Sequence, residues 1–279
     1  MKISEAFDLY KTNYMFYQHR SKRILENHEY VKHRLVKIVG DKPINKLNMD
    51  DVQLWATKSL EGRQWNTVRN DICRLRSVLK YLNNRDIRCL NPELIPVPKR
   101  QDVTRDFLTA DEVACMVENA CNLRAKFIIS LLYSSGIRLS ELLSLNKDDI
   151  IDRHFQVVGK GGKLRLCFID ERTEEYMRRY LASRNDNCEA LVVNRVTKVR
   201  MTATNVQYLV KNAARMAGID KHVTPHILRH SFATNFIENN GNIRYLCTML
   251  GHRSVSTTMI YTHVVDKSLE EQYNLYHSF

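Results

Sequence analysis

Apolar positions in the first hundred residues repeat with a helical period. Between residues 66 and 84, Val68, Ile72, Leu75, Leu79 and Leu82 fall on one narrow stripe. Arg69, Arg76 and Lys80 lie together roughly 90–100° around the same helix, given about 3.6 residues per turn. The pattern predicts a buried seam flanked by a basic edge, with Trp55 and Trp65 filling the core. Pro92, Pro96 and Pro98 then fall within NPELIPVPKRQDVTRD, an extended, basic stretch that reads as a linker over residues 91–106. Thr109-Ala-Asp-Glu112 has capping-box spacing, so a new helix begins there.

Beyond that point the pattern is mixed. Residues 123–134 are mainly apolar and predict a buried helix. Gly136 interrupts it, and LSELLSL resumes it. Phe155–Val158 and Leu164–Ile169 are short β-like runs joined by Gly159-Lys-Gly-Gly-Lys163, which predicts a hairpin. Further helices are expected at about 171–184, 202–217, 225–239, 242–250 and 254–262. The expected fold class is mainly α with a small antiparallel β-hairpin. Two domains are expected: a helical one over residues 1–90 and, after the linker, a mixed one with a C-terminal tail over 107–279.

Charge alters this picture. The 279 residues hold 43 Lys and Arg against 31 Asp and Glu, a net +12. The surplus is uneven, with 20 basic and 11 acidic side chains in residues 1–100 against 23 and 20 in the remainder. Such an excess points to a polyanionic partner, nucleic acid ahead of a membrane surface, with a merely soluble basic protein as the plainer reading. No apolar run approaches the roughly 20 residues of a spanning helix. Glu5 and Asp8 sit where a signal peptide needs an apolar core, so neither a membrane nor a secreted protein is expected. The seven cysteines are scattered without a CxxC pair. Most read as small buried hydrophobes in a reducing, cytoplasmic setting, and together they form neither a disulfide framework nor a zinc site.

Several residues carry candidate chemistry. Thr224 is a good N-cap and Pro225 suits the first helical position, so His226 and Arg229 share one face beside a helix N-terminus. That arrangement receives anions. His226 and His230 have metal-ligand spacing, but Ile227 stands where an HExxH site has Glu, and no third ligand is evident. Arg138 follows a glycine break with Glu141 three residues on; the plainer reading is a helix-surface ion pair. Taken alone, Lys160 reads more readily as an exposed turn lysine, and Tyr261 as packing. Taken together, two arginines, two histidines (His226 and His252) and a lysine suit a phosphodiester in transition, with a tyrosine as nucleophile. No GxSxG elbow, Walker loop or clear carboxylate cluster is present in the sequence.

The blocks SSGIRLSELLSL, VVGKGGKLR, TPHILRHSFATN and LGHRSVSTTMIYTHV resemble the tyrosine recombinases, or phage integrase family, over about residues 104–265. The first hundred residues resemble that family's helical core-binding domain in size, charge and position. The resemblance implies that Arg138 and Arg229 clamp the scissile phosphate. Lys160 would protonate the leaving 5′-oxygen, with Lys163 as its rival or a DNA-backbone contact. His226 would serve proton transfer and phosphate contact, His252 would hydrogen-bond the phosphate, and Tyr261 would attack DNA and hold the 3′-phosphate. Glu141 would support the site, and His230 is left structural. The basic edge of Arg69, Arg76 and Lys80 suits DNA phosphate contacts, with a solvated helix flank as the equal reading for any one of them. The resemblance implies no metal, ATP or other cofactor.

The partners so implied are double-stranded DNA with an inverted-repeat core site and a homotetramer, or a heterotetramer with a second recombinase, in the cytoplasm at the nucleoid. The tail after Tyr261 can form a short helix over Ser268–Tyr276, folded at home or donated to a neighbouring protomer. Compact Xer-type members, which resolve chromosome or plasmid dimers, give the nearest wording. Mobile-element or integron integration, a non-cleaving DNA-binding accessory protein and a type IB topoisomerase remain as alternatives.

Overall fold

The helical stripes of the first hundred residues close into a core of their own. The structure is a computed structural model that describes residues 1–18, 22–101, 106–159, 162 and 164–251, without the side chains of 14–18 and 22. The chain divides into two units, residues 1–103 and 104–279.

The first unit holds α1 (Ile3–Gln18), α2 (Lys22–Val39), α3 (Met49–Leu60) and α4 (Trp65–Asn83). Each turns an i, i+3, i+4 stripe inward: Ile3, Phe7 and Tyr10 from α1, Val31 and Leu35 from α2, Val52 and Trp55 from α3. The α4 stripe is buried as its spacing predicts, from Val68 to Leu82. Asp71 is buried with it, held by Arg63 and Arg74 at 2.6 Å each.

Three expectations change here. Trp65 does not fill the core: it is 36% exposed, and its indole N–H donates to the Lys99 carbonyl at 3.2 Å. Nor is the proline stretch a free connector. Residues 91–101 belong to the first unit, with Pro92 and Ile95 buried. Arg69 Nε donates to the Pro98 carbonyl at 2.8 Å, and Asn66 and Gln101 exchange side-chain and backbone hydrogen bonds. Side chains of α4 thus take up the carbonyls of Pro98, Lys99 and Gln101. The cysteines differ too: Cys167 and Cys247 are buried, Cys115 and Cys121 are exposed, and the rest lie between.

The second unit is built around α6 (Leu123–Ser135), whose Phe127, Ile128, Ile129, Leu131 and Leu132 are wholly buried. Around it stand α5 (Ala110–Glu118), α8 (Glu171–Ala182), α9 (Ala203–Met216) and α10 (Pro225–Glu238). The Thr109–Glu112 capping box forms in full at the start of α5. The short α7 (Leu139–Ser144) follows α6, and α11 (Ile243–Leu250) follows α10. The hairpin pairs β1 (His154–Val158) with β2 (Leu164–Phe168), antiparallel, His154 opposite Phe168 and Val158 opposite Leu164. Its inward face carries Phe155, Val157, Arg165 and Cys167, whereas Val158, Leu164, Leu166 and Phe168 face out. Among the described residues no helix is long and apolar enough to cross a membrane. The helix expected at 254–262 and the tail lie outside the described residues.

Candidate active site

The site is assembled from two helix ends and a strand. Gly136 caps α6 in the left-handed region (φ 59°), and a Cβ there would lie 2.5 Å from the Phe232 ring of α10. Only glycine allows both the turn and this approach. The Gly136 carbonyl then accepts from Arg229 Nη1 at 2.6 Å. Two residues later Arg138 opens α7 as its N-cap.

Arg229 is buried on α10, and its Nη2 donates to the Leu250 carbonyl at 2.7 Å. Thr224 caps α10 by accepting from the Ile227 amide at 3.2 Å, with Pro225 at the first helical position. His226 is exposed on the first turn, three residues before Arg229. Other polar residues of TPHILRHSFATN are structural. Ser231 Oγ accepts from the Leu108 amide at 2.8 Å, and Asn235 Nδ2 donates to the Leu108 carbonyl at 3.1 Å.

Glu141 is no surface partner of Arg138, since only 6% of its side chain is exposed. Its Oε2 accepts from the Arg138 amide at 2.6 Å, and its Oε1 from Arg138 Nη1 at 2.8 Å. Arg165, on β2, adds a two-pronged contact, Nη1 to Oε1 at 2.7 Å and Nη2 to Oε2 at 2.6 Å. Burial alone would push the Glu141 carboxyl up, but the hydrogen bonds from Arg165 and Arg138 outweigh it and hold it down to about 2. The Arg165 guanidinium is likewise raised, the Glu141 bonds outweighing its burial.

Sequence reasoning did not single out Arg165. It lies in a run whose leucines suggest the buried positions, yet the leucines face out and the arginine faces in. A cation alternating with apolar residues at the edge of the VVGKGGKLR block was the available signal.

The structure thus brings together Arg138, Glu141 and Arg229, adds Arg165, and places His226 at the N-terminus of the same helix as Arg229. Lys160, Lys163, His252 and Tyr261 lie outside the described residues, although α11 is capped by Gly251, the residue before His252 in the sequence. About a third of the Arg138 side chain is exposed, at 34%. With one Nη given to Glu141, the rest of its planar fork is available to an oxyanion. On the first unit, Arg69 and Arg76 are engaged by residues 91–101, Arg76 through Glu93 at 2.6 Å, and Lys80 is exposed.

Residues 106–268 match the phage integrase family. The chain belongs to that family, the tyrosine recombinases. It is 35% identical to tyrosine recombinase XerD of Oceanobacillus iheyensis, the match covering 84% of this chain and 83% of that one. It is 36% identical to tyrosine recombinase XerA of Pyrococcus horikoshii, over 81% and 93%. A solved structure of the Tn1549 transposon integrase with a circular intermediate DNA matches at TM-score 0.81 and 17% identity, covering 98% of this chain and 99% of the other. That likeness shows the fold. The chain is therefore a site-specific tyrosine recombinase, most like the Xer type.

Proposed function

We propose that this recombinase resolves chromosome or plasmid dimers by exchanging strands between two copies of an inverted-repeat DNA site, with Arg138, Lys160, His226, Arg229, His252 and Tyr261 as its catalytic residues. Arg138 and Arg229 hold the nonbridging oxygens of the scissile phosphate. The Tyr261 hydroxyl attacks phosphorus, the bond to the 5′-oxygen breaks, and Lys160 gives that oxygen its proton. His226 takes up the tyrosine proton and His252 hydrogen-bonds the phosphate. A 5′-hydroxyl of the partner duplex then attacks the phosphotyrosine, releasing Tyr261. Because the energy of the broken bond is kept in the phosphotyrosyl ester, the cycle as written is balanced without ATP.

The observation that carries this reading is the Arg138–Glu141–Arg165 group beside Arg229. It offers a rigid, partly exposed guanidinium where charge builds on the phosphate. Four protomers on two DNA sites, the basic first unit as a DNA-holding domain, and a cytoplasmic, nucleoid location complete the proposal. Lys80 and Lys163 add phosphate contacts. Donation of the tail to a neighbouring protomer would couple the tyrosines of adjacent subunits.

The test presupposes no target sequence. The protein is mixed with sheared genomic DNA of its source and quenched with SDS, and the covalently held DNA is sequenced beside a Tyr261→Phe control. An adduct from the wild type alone, at one inverted-repeat locus, is expected. A locus at a replication terminus or a plasmid fits dimer resolution, and one at a mobile-element end would replace that role with integration. Binding without an adduct would overturn the cleavage reading.

A further inference from the structure

One buried cation of the second unit has no part in the reaction as proposed. Arg165 is 7% exposed, projects from the inward face of β2 beside Cys167, and uses all three guanidinium nitrogens. Two go to Glu141 and the third, Nε, donates to the Met249 carbonyl at 2.8 Å. Each Glu141 oxygen then accepts twice, once from Arg165 and once from Arg138.

We infer that Arg165 is a positioning residue that sets the charge and placement of Arg138 through Glu141 and ties both to the C-terminal turn of α11. The inference rests on the phosphate-clamping role proposed for Arg138. Its first leg is charge. Glu141 alone beside Arg138 would neutralise the cation that the phosphate needs. With Arg165 on the same carboxylate, the three groups sum to +1, and the only partly exposed member is Arg138. Its second leg is geometry. A carboxylate with four donors has no rotational freedom left, so the Arg138 fork is held at backbone and side chain together. Its third leg is reach. Met249 and Leu250 carry the carbonyls that accept from Arg165 and Arg229, and Gly251, which follows, has φ 62°. A Cβ on Gly251 would lie 3.0 Å from Arg165 Cδ. The turn leading to His252 is thus seated on Arg165.

The experiment uses a nicked duplex carrying the locus recovered in the adduct assay, so failure of that assay would already have sunk the parent reading. Single-turnover cleavage at saturating DNA, DNA affinity and melting temperature are measured for the wild type, Arg165→Met, Arg165→Lys and the double variant Arg165→Met with Glu141→Gln. Arg165→Met is expected to cleave about a hundredfold more slowly, on the scale of one lost oxyanion donor, with DNA affinity within about threefold. Arg165→Lys, which keeps the charge and loses the fork, is expected in between. The double variant removes the uncompensated carboxylate and is expected to recover about tenfold of the cleavage rate, since it restores the net charge around Arg138. A purely structural role predicts no such recovery among folded protein. Wild-type cleavage by Arg165→Met, or a double variant that melts like the wild type yet is no faster than the single one, would overturn the inference. Should Arg165→Met not fold, the rates of Arg165→Lys and the double variant decide alone.

Discussion

Each unit contains a buried carboxylate between two arginines, and the two groups are built to different ends. In the first unit Asp71 takes one bond from Arg74, three residues on, and one from Arg63. Arg63 leaves Nη1 buried without a partner among the described residues and lays its guanidinium over the Tyr30 ring at 5.1 Å. In the second, Glu141 pairs with an arginine three residues away and with a remote one, but every Arg165 nitrogen is occupied and backbone groups join at both ends. The first group fastens a loop to a helix and tolerates an unfilled donor. The second is saturated, and its remaining binding capacity points outward through Arg138. Saturation thus separates a group that presents charge from one that only holds the chain together.

The contrast can be broken by removing each acid. Glu141→Ala leaves Arg165 buried and unpaired, and is expected to destabilise the second unit by about 3–5 kcal/mol in denaturant unfolding. A loss below that of the Asp71 variant would undo the comparison. Acid titration sharpens it. The Glu141 carboxyl is lowered from 4.5 to about 2, so its contribution to stability is whole above about pH 4.5 and is lost as pH falls towards 2. Glu141→Gln should lack that component in stability measured across the window, and equal slopes for both proteins would count against it.

Asp71→Ala is expected to cost about 1–3 kcal/mol, because Arg63 and Arg74 are 15% and 27% exposed and partly reach water. It should leave cleavage at saturating DNA unchanged. The smallest effect belongs to Arg76→Ala, whose partner Glu93 is 67% exposed; about 0.5 kcal/mol or less is expected in thermal unfolding. A salt titration of DNA binding checks its other proposed role: a slope reduced by about one marks a phosphate contact, and an unchanged slope leaves Arg76 as a clasp for residues 91–101.

Much of the scaffold was legible because it is local. The α4 stripe, the Thr109 and Thr224 caps and the glycine-joined hairpin each follow from residues within a few positions of one another. The misreadings of Trp65 and the proline stretch share a cause, which is a partner far along the chain. Prolines announce an extended stretch, but nothing local reveals that Arg69 and Asn66 will hold its carbonyls. Trp65 is drawn out to Lys99 by the same segment. Arg138, Glu141 and Arg229 stood out because they sit in recognisable blocks. Arg165 did not, because its strand shows leucines to solvent and its partners are 24 and 84 residues away. Cys115 misled through its neighbours: it stands in apolar company along the chain, yet it sits on the outward side of α5, and Cys121 lies exposed in the loop that follows.

The α10 segment has a consequence for how the protein can change over time. From Thr224 to Asn235, His226 alone is exposed, and it is the position proposed for proton transfer. Arg229, Ser231 and Asn235 each have a named backbone partner elsewhere in the unit, and Phe232 fills the space that Gly136 leaves. A stretch with no idle position cannot wander: substitutions that packing would accept meet chemistry, and those that chemistry would accept meet packing. Residues so constrained act as a fixed word, in which each letter is held by two demands at once.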